Sequence, residues 1–413
     1  MQITVVGAGI IGLSIAWRLH RDGHRITVVD PAPASGATHA AGGMLTPVGE
    51  AWHGEDDLTA LLLASARRYA SFVEDVSGHL SAGTPTGYSE SGTLICGADA
   101  ADRGDLTALH ELCRRLELRS EQITTREARR LEPLLGPHVS CAFLAPEDHQ
   151  VDPRVWAAAL IEALTGQGTR FVTKSVECVT AGQGPSVTTG AGTQIESDLV
   201  VVAAGLGARG LQGDLGVDLD HVLRPVHGEV VRLRVPAHLT DLLTHTVRGQ
   251  VSGRPVYLIP RGDSRVLLGA TSREDGIDAV NAGGIHDLLA DAIRLMPAVR
   301  EFAVEDVVAR ARPGTPDNAP IIGETTPGII VADGFFRHGI LLSPIAGDIV
   351  SALVRRHTGE SDAHTGDLAT GVATVPGPPA GGFLPDAELL DLARCADPAR
   401  FASAPSPHRK DTP

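Results

Sequence analysis

The chain has 413 residues, of which 43% are hydrophobic and 21% are charged. These proportions are typical of a globular protein, and the length predicts two domains. Its 50 Asp and Glu residues outnumber its 35 Lys and Arg residues, so the formal net charge is -15. Because nucleic acids and anionic membranes repel an acidic surface, we expect neither as a partner. No apolar stretch reaches the ~18 residues that span a bilayer, and no leader peptide is evident, which predicts a cytoplasmic protein.

The cysteines and histidines of the sequence form no recognisable metal-binding or redox motif. The five cysteines are widely spaced and include no Cys-x-x-Cys pair, so we expect reduced thiols rather than disulfides. The 17 histidines are scattered without the spacing of metal ligands. We therefore expect no metal site.

The N-terminal segment predicts a βαβ unit with a nucleotide-binding turn. Gln2–Val6 is a short apolar strand, a helix is expected from about Gly12 to Asp22, and a second strand follows over Arg25–Asp30. The turn after the first strand reads Gly7-Ala-Gly9-Ile-Ile-Gly12. Glycines there permit a tight turn, close approach of a pyrophosphate to the backbone, and close packing of helix on strand. Asp30 is suitably placed to bind the adenosine ribose, so this segment predicts a dinucleotide site.

The rest of the sequence alternates between helical and strand-rich segments. The spacing of apolar residues predicts helices at 57–76, 106–116, 153–164 and 345–355. Continuous apolar runs predict buried parallel strands at 198–205 and 328–332. Shorter segments separated by Gly and Pro turns predict an antiparallel sheet from 229–235, 256–260 and 265–270. The nucleotide-binding fold is therefore expected to be interrupted by a β-rich region and completed near the C-terminus.

A second glycine motif follows the strand expected at 198–205. It reads Gly205-Leu-Gly207-Ala-Arg-Gly210 and could indicate an NAD(P) site, as in a reductase or monooxygenase. The residues after it are too rich in Gly and Asp for an amphipathic helix, and no second strand ends in an acid at the right distance. We therefore favour a turn beneath the first cofactor. One dinucleotide without a nicotinamide site favours FAD.

Several blocks of sequence resemble those of a known enzyme family. They are Ala41–Leu45, Arg224–Glu229, Tyr257–Arg261 with Leu268–Thr271, Arg312–Asp317 with Pro320–Gly323, and Phe336–Pro344. In order and spacing, residues 1–357 resemble the glycine oxidase branch of the D-amino-acid oxidase family of FAD-dependent oxidoreductases. Asp397–Phe401 resembles the C-terminal end of that family.

The resemblance implies an α/β fold in which a Rossmann-type FAD-binding domain is interrupted by an antiparallel β-rich substrate domain. We expect a discontinuous FAD-binding domain at 1–85, 140–220 and 305–357, and a substrate-binding domain at 86–139 and 221–304. Residues 358–413 are expected to form a flexible insertion, rich in Gly and Pro, and a C-terminal tail.

The resemblance also implies the residues that contact the substrate. Arg312 would clamp a substrate carboxylate, since a planar guanidinium binds a carboxylate through two parallel hydrogen bonds. Tyr257 would donate its phenol to the same carboxylate, and Arg337 would lie near the flavin and the substrate. Each has a structural alternative: a fold-stabilising salt bridge for Arg312, a core aromatic for Tyr257, and packing on the cofactor edge for Arg337.

For the cofactor, the resemblance implies a set of contacts that extends well beyond the glycine turn. Backbone N–H groups from position 338 onwards would stabilise negative charge on reduced flavin, residues 42–44 would lie against the isoalloxazine, and Val176 would contact adenine through its backbone. The complete candidate set is Gly7, Gly9, Ile10, Ile11, Gly12, Asp30, Pro31, Ala37, Thr38, Gly42, Gly43, Met44, Val176, Gly205, Phe336, Arg337, His338, Gly339, Ile340 and Leu341.

The sequence departs from the family at a few positions. Ser272 stands where glycine oxidases tend to carry Met and monomeric sarcosine oxidases carry an oxygen-activating Lys, which leaves substrate preference and oxygen reactivity open. No cysteine lies near Arg312 in the sequence, so we expect non-covalent FAD. Pro255 and Val256 replace residues that are often polar, which favours an apolar substrate group.

The expected function is oxidation of a small amino acid: glycine, sarcosine or a D-amino acid. Hydride transfer from Cα to flavin would give an imine and then a keto acid and ammonia, with molecular oxygen reduced to hydrogen peroxide. In the glycine oxidase branch the imine often feeds thiamine thiazole synthesis. Alternatives are a dehydrogenase or tailoring oxidase with a larger amine substrate, and an RNA-associated flavoprotein, which the acidic charge disfavours. The sequence is compatible with a homo-oligomer.

Overall fold

A computed structural model describes residues 1–182, 184–359 and 384–401 of the protein. The helices are α1 (Ile10–Arg21), α2 (Ala37–Ala40), α3 (Asp56–Ser77), α4 (Ala100–Arg115), α5 (Thr125–Leu131), α6 (Pro153–Gly166), α7 (Leu219–Val222), α8 (Ala282–Leu295), α9 (Gly339–Thr358) and α10 (Asp386–Leu392). Short 3₁₀ turns are formed by Gly205–Ala208, Ala237–Leu242, Pro297–Glu301, Ala393–Ala396 and Pro398–Phe401. Among the helices of these described residues, none has the length and apolar character needed to cross a membrane.

The strands are assigned to four sheets. In chain order they are β1 (Gln2–Val6), β2 (Arg25–Val29), β3 (Met44–Leu45), β4 (Tyr88–Ser89), β5 (Thr93–Gly97), β6 (Glu121–Ile123), β7 (Cys141–Ala145), β8 (His149–Val151), β9 (Arg170–Val172), β10 (Val176–Thr180), β11 (Ser186–Thr189), β12 (Gln194–Glu196), β13 (Leu199–Val202), β14 (Gln212–Gly213), β15 (Arg224–Arg234), β16 (Thr246–Val251), β17 (Arg254–Arg261), β18 (Arg265–Gly269), β19 (Ala303–Gly314), β20 (Ile321–Thr326) and β21 (Ile329–Asp333).

The first sheet is mostly parallel and carries the predicted βαβ unit. Its strand order is β20-β21-β13-β1-β2-β9, and only β20 runs antiparallel to its neighbour. Every residue of β13 and β21 is buried, as expected for strands covered on both faces. Helix α1 packs on one side against α6 and α9, and α3 packs against α9. This layer of helices encloses one large hydrophobic core.

The second sheet is almost wholly antiparallel, in the order β19-β15-β18-β17-β16-β5-β7-β6. Its two faces carry different side chains, because successive side chains of a strand point in opposite directions. Val231, Leu258 and Leu268 point into a core completed by Leu288 and Leu295 of α8. The opposite face carries Tyr257 and forms one wall of a large cavity. Two smaller sheets, β12-β11-β10-β14 and β3-β8-β4, complete the fold.

Several boundaries differ from those expected. β19 was assigned by sequence to the FAD-binding domain, but it pairs along its length with β15, from Arg224↔Gly314 to Arg234↔Ala303. It therefore lies at the edge of the antiparallel sheet. β7, also expected in the FAD-binding domain, pairs in that same sheet with β5 and β6.

Helix α9 begins at Gly339, whereas the sequence predicted a start near 345. The reason is Pro344, which would normally mark a helix start or break. The proline leaves the Ile340 carbonyl without its usual N–H donor, and the Ser343 hydroxyl donates to that carbonyl at 3.0 Å. The helix can thus continue through the proline.

Residues 384–401 are not a loose tail, in contrast to the expectation for 358–413. Helix α10 packs against α9 and α3. Arg355 of α9 donates from Nε to Asp386 at 2.8 Å, and Arg400 donates from Nε to Asp317 at 2.7 Å. The expected flexible insertion at about 359–383 lies, from residue 360 onwards, outside the described residues, and so does the tail after Ser403.

Candidate active site

A cavity of about 880 Å³ lies between the carboxyl ends of the parallel strands and one face of the antiparallel sheet. In open α/β sheets, ligands bind at this edge of the strands. All of the candidate cofactor residues except Gly12 line the cavity, and so do Arg312, Tyr257 and Arg337. The structure therefore brings the residues singled out by sequence into one place.

The glycine turn after β1 is as tight as its sequence predicted. Gly7 has a φ of +104°, which is unfavourable for other residues, and a Cβ there would overlap the carbonyl oxygen of Ala203. Gly12 does not line the cavity, because it faces β1, and a Cβ at this position would overlap the carbonyl oxygen of Gly7. Gly7 thus lets the turn pack against the backbone that follows β13, and Gly12 lets helix α1 pack closely on the end of β1.

The N-terminus of α1 opens into the same cavity. The first-turn N–H groups of a helix have no acceptor within the helix, which makes them a binding site for phosphate. One of them, the N–H of Ile10, donates to the Thr38 hydroxyl at 3.0 Å. Gly9, which precedes the helix, provides no side chain to block this end. This arrangement fits a dinucleotide pyrophosphate.

The carboxylate of Asp30 lies directly after β2, beside the glycine turn. It accepts the N–H of Ala8 and the N–H of Ala32, each at 2.7 Å. Asp30 therefore stabilises the turn, and it also lines the cavity where an adenosine ribose would lie. Pro31 and Val176 line the same end.

We predict that Asp30→Ala weakens FAD binding by about 1–3 kcal/mol, because it removes a charged hydrogen-bond acceptor. The measurement is the dissociation constant of FAD for the apoprotein, with Asp30→Asn as the control that keeps one acceptor oxygen. An FAD affinity equal to that of the unmodified protein would show that the ribose is held elsewhere.

The second glycine motif forms a turn, not a second nucleotide-binding helix. Gly205 has a φ of +59° and begins the 3₁₀ turn Gly205–Ala208. Leu206 and Gly207 of this turn line the cavity beside Gly205. The motif thus forms a turn in the wall of the cavity.

The segment Gly42–Met44 lies across the cavity from the glycine turn. Gly43 has a φ of +72°, and a Cβ there would overlap the carbonyl oxygen of Val151. The Gly42 carbonyl accepts a hydrogen bond from Arg261 Nη2 at 2.6 Å. Burial lowers the pKa of Arg261 to about 10, so the arginine remains charged at neutral pH. Arg261 was not identified as a functional residue from sequence, because its role is to hold the backbone of this segment.

The N-terminus of α9 forms the far end of the cofactor cavity. Gly339, Ile340 and Leu341 lie in its first turn and line the cavity, so their N–H groups can face a negative charge. His338 precedes the helix, and burial lowers its pKa to about 4. Its imidazole is therefore neutral at pH 7.

Asp333, at the end of β21, was not identified from the sequence. Its carboxylate is buried and accepts the N–H of Gly334 at 2.7 Å, while Oδ2 has no hydrogen-bond partner among the residues that the structure describes. Burial raises the pKa of Asp333 to about 7. An unpaired acceptor in this cavity suits a ligand rich in hydroxyl groups, such as the ribityl chain of FAD.

Arg312 and Tyr257 lie on the face of the antiparallel sheet that forms the cavity wall. Two glycines make room for them. A Cβ on Gly228 would lie 2.5 Å from Arg312 Nη1, and a Cβ on Gly269 would overlap the Tyr257 phenol. The guanidinium thus lies over β15 and the phenol over β18. Burial raises the pKa of Tyr257, so its hydroxyl remains a hydrogen-bond donor at neutral pH.

The guanidinium of Arg312 is only weakly engaged. It donates to the Thr271 carbonyl at 3.3 Å, and within the described part of the chain no carboxylate oxygen lies within 4.0 Å of it. The salt-bridge alternative considered from sequence is therefore not what this arginine forms there. A half-buried guanidinium without an acid is suited to bind an anionic ligand.

Arg337 is paired differently. Its Nε lies 2.9 Å from Glu50 Oε2, and its guanidinium lies 5.0 Å from the centroid of the Trp52 ring. Glu50 also pairs with Arg248 of β16. Burial raises the pKa of Glu50, but the positive charges of Arg248 and Arg337 lower it by more, so the pKa is about 2. Neither residue was predicted from the sequence: Glu50 lies six residues after Met44 but outside the sequence blocks, and Arg248 is in no motif.

The loop after β18 is fixed by a buried acid. Glu229 is fully buried and accepts the hydroxyl of Thr271 as well as Arg273 Nη2 at 2.6 Å. Its other partners include the N–H of Asn281 at 3.1 Å. These contacts fix the position of Ser272, which lines the cavity.

Comparison with known proteins decides the family. The model of a family described as FAD dependent oxidoreductase (DAO) matches residues 2–353. The chain belongs to this family. It is an FAD-dependent oxidoreductase, and the family, fold class and cofactor expected from sequence are confirmed.

Individual relatives of this oxidoreductase are moderately similar. The glycine oxidase of Geobacillus kaustophilus is 30% identical, and the alignment covers 86% of this chain and 93% of that protein. A crystal structure of glycine oxidase from Geobacillus kaustophilus gives a TM-score of 0.78, covering 86% of this chain and 94% of that one.

Two further relatives carry thiamine-related names. A putative thiamine biosynthesis oxidoreductase, ThiO, of Rhizobium etli is 30% identical, covering 86% of this chain and 97% of that protein. The bifunctional protein ThiO/ThiG of Synechocystis sp. is 33% identical over 86% of this chain. The chain spans about half (51%) of the length of that bifunctional protein.

Proposed function

We propose that this oxidoreductase oxidises a small amino acid at its Cα–N bond, with glycine, sarcosine or a D-amino acid as substrate. The observation that carries the proposal is Arg312: a guanidinium without a carboxylate partner in the described structure, beside the Tyr257 hydroxyl, in the cofactor cavity. The similarity to glycine oxidase and ThiO proteins supports it.

In the proposed reaction, the cofactor, Arg312 and Tyr257 have different roles. When bound, FAD would accept the hydride that leaves Cα, and with it the two electrons of the oxidation. Arg312 binds the substrate carboxylate through two hydrogen bonds, and Tyr257 donates a third. With the carboxylate fixed at the sheet, Cα has one orientation in the cavity, and such positioning supplies much of the rate enhancement.

Candidate residues for holding FAD are distributed along the cavity. The N–H groups at the start of α1 would hold the pyrophosphate, Asp30 would hold the ribose, and Gly42–Met44 would lie against the ring system. The N–H groups at the start of α9 would stabilise negative charge near flavin N1 and O2. The imine product would hydrolyse in water to a keto acid and ammonia. Oxygen is the proposed acceptor, giving hydrogen peroxide, and the proposed pathway is thiamine thiazole synthesis.

The test is a panel of amino acids and amines incubated with purified holoprotein. Peroxide formation and oxygen uptake are compared with reduction of an artificial dye, because a dehydrogenase would reduce the dye without consuming oxygen. Oxidation of glycine, sarcosine or a D-amino acid, with peroxide formed in equal amount, is the expected result. Oxidation of simple amines alone would refute the proposal.

We further predict that the purified protein is yellow and that acid precipitation releases intact FAD. All five cysteines are free thiols, and Cys96, Cys113 and Cys141 are buried; none of the five lines the cavity. The measurement is the absorbance and chromatographic identity of the flavin in the supernatant. Yellow colour that stays with the precipitate would reveal a covalent bond and contradict the prediction.

A further inference from the structure

A second cation lies on the same sheet face as the proposed carboxylate clamp. The register pairs Arg248 of β16 with Tyr257 of β17, and pairs Tyr257 in turn with Gly269 of β18. Residues directly opposite in antiparallel strands point to the same face. Arg248 therefore projects from the face that carries Tyr257 and Arg312, and it lines the same cavity.

Arg248 shares its ion-pair partner with a second arginine. Glu50 pairs with both Arg248 and Arg337, and Arg337 also lies 4.0 Å from Glu55, so Arg248 has only a share of one carboxylate among the described residues. The nearby acid Asp148 is buried away from the cavity and is occupied by the N–H groups of Val48 and Gly49, at 3.2 and 2.9 Å. Burial raises the pKa of Asp148 to about 7, so this carboxyl is only partly ionised at neutral pH.

The two cationic positions lie on either side of Tyr257 along the sheet. The Arg312 guanidinium lies over Gly228 of β15, and Arg248 belongs to β16, three strands further along the sheet. Neighbouring strands are about 4.8 Å apart, which places these strands about 14 Å apart. With Tyr257 between them, the two arginines suit a ligand that carries an anionic group at each end.

We propose that Arg248 is a specificity-determining residue that binds a second anionic group, so that the enzyme prefers amino acids with two carboxylates. This inference rests on the proposed amino-acid oxidase function. In it, Arg312 holds the carboxylate next to the reacting carbon, and Arg248 holds the carboxylate on the side chain or on the nitrogen substituent. Glu50 keeps the Arg248 guanidinium in place.

The experiment compares substrates that differ only in that second charge. The pairs are D-aspartate with D-asparagine, D-glutamate with D-glutamine, and N-(carboxymethyl)glycine with N-(carbamoylmethyl)glycine. The readout is the ratio of kcat/KM for acid over amide, which cancels any general loss of activity. For the unmodified holoenzyme, we expect the acid to be favoured by about 10- to 100-fold in at least one pair, the range for a charged hydrogen bond.

Arg248→Gln should bring that ratio close to one, and Arg248→Lys should keep part of the preference because it keeps the charge. The matched control is Arg254→Gln on β17, since Arg254 pairs with Asp291 and does not line the cavity; its ratio should match that of the unmodified enzyme. Binding is measured separately, from the change in flavin absorbance during titration with succinate or with succinamate. We expect succinate to bind more tightly than succinamate only when position 248 is cationic.

Each outcome bears on one conclusion or the other. Equal rates for acid and amide in every pair, or an acid preference that survives in Arg248→Gln, would overturn the role of Arg248. If glycine is still oxidised in an Arg312-dependent manner, the proposed amino-acid oxidase function stands without a role for Arg248. If no amino acid is oxidised, the proposed function fails and the substrate inference fails with it, whatever the titration with succinate shows.

Discussion

Arg312→Ala is expected to lower kcat/KM for an amino acid by roughly 30- to several thousand-fold, equivalent to about 2–5 kcal/mol. The reason is that the substrate carboxylate would lose its cationic partner in a cavity partly closed to water. Among the described residues Arg312 donates to the Thr271 carbonyl at 3.3 Å and forms no ion pair, so the substitution breaks no ion pair in that part of the chain. Steady-state kinetics on glycine, sarcosine, a D-amino acid and a matched simple amine provide the measurement.

Three controls separate a clamp from a structural arginine. FAD occupancy should stay near that of the unmodified protein, because Arg312 faces the substrate end of the cavity. Arg312→Lys should restore activity only in part, since an ammonium cannot form two parallel hydrogen bonds. A carboxylate-free amine should lose little in either variant. Equal losses on the amine and the amino acids would show that Arg312 has no role as a clamp.

A second substitution tests the same contact without removing the arginine. Gly228→Ala adds a methyl group at a point 2.5 Å from Arg312 Nη1 and 2.6 Å from the Thr271 carbonyl. The guanidinium must move, so this variant should show the same selective loss on amino acids. Gly104→Ala on α4 is the matched control, because no atom outside its own helix lies within 4 Å of the added Cβ.

The cofactor half of the site could be predicted from sequence because its requirements are local. A tight turn, a helix N-terminus and an acid after β2 all lie within thirty residues. The antiparallel segments were also predictable, although β15 begins at Arg224, five residues before the strand that alternation predicted. The first residues of β15 lack the alternation of apolar and polar residues that predicts a strand. Their pairing with β19 determines their conformation.

The residues that sequence analysis missed depend on contacts between distant segments. Glu50 and Arg248 are separated by 198 positions, yet they pair in the cavity wall. No local pattern indicates that a loop acid and a strand arginine will meet. The packing of residues 384–401 was missed for the same reason: α10 has only seven residues, and it is held by Arg355, which lies 31 positions earlier.

The second large effect is expected for Gly12→Ala, which tests the cofactor site. The added Cβ would overlap the carbonyl oxygen of Gly7 and lie 3.4 Å from Val5 Cγ1. A backbone carbonyl cannot rotate away as a side chain can, so we expect a cost near the upper end of the ~1–3 kcal/mol range for overpacking, about 100-fold in FAD affinity. Helix α1 would be pushed off β1, and its N-terminal N–H groups would leave the pyrophosphate position.

The measurement for Gly12→Ala is FAD binding to the apoprotein, followed by flavin fluorescence, with circular dichroism to establish that the variant is folded. Gly104→Ala is again the control: it is also a glycine-to-alanine change within a helix, and it should bind FAD as the unmodified protein does. All oxidase activity should fall in proportion to the lost flavin and recover at high FAD concentration. A folded Gly12→Ala protein with unchanged FAD affinity would contradict the close packing of α1 on the sheet as the basis of the cofactor site.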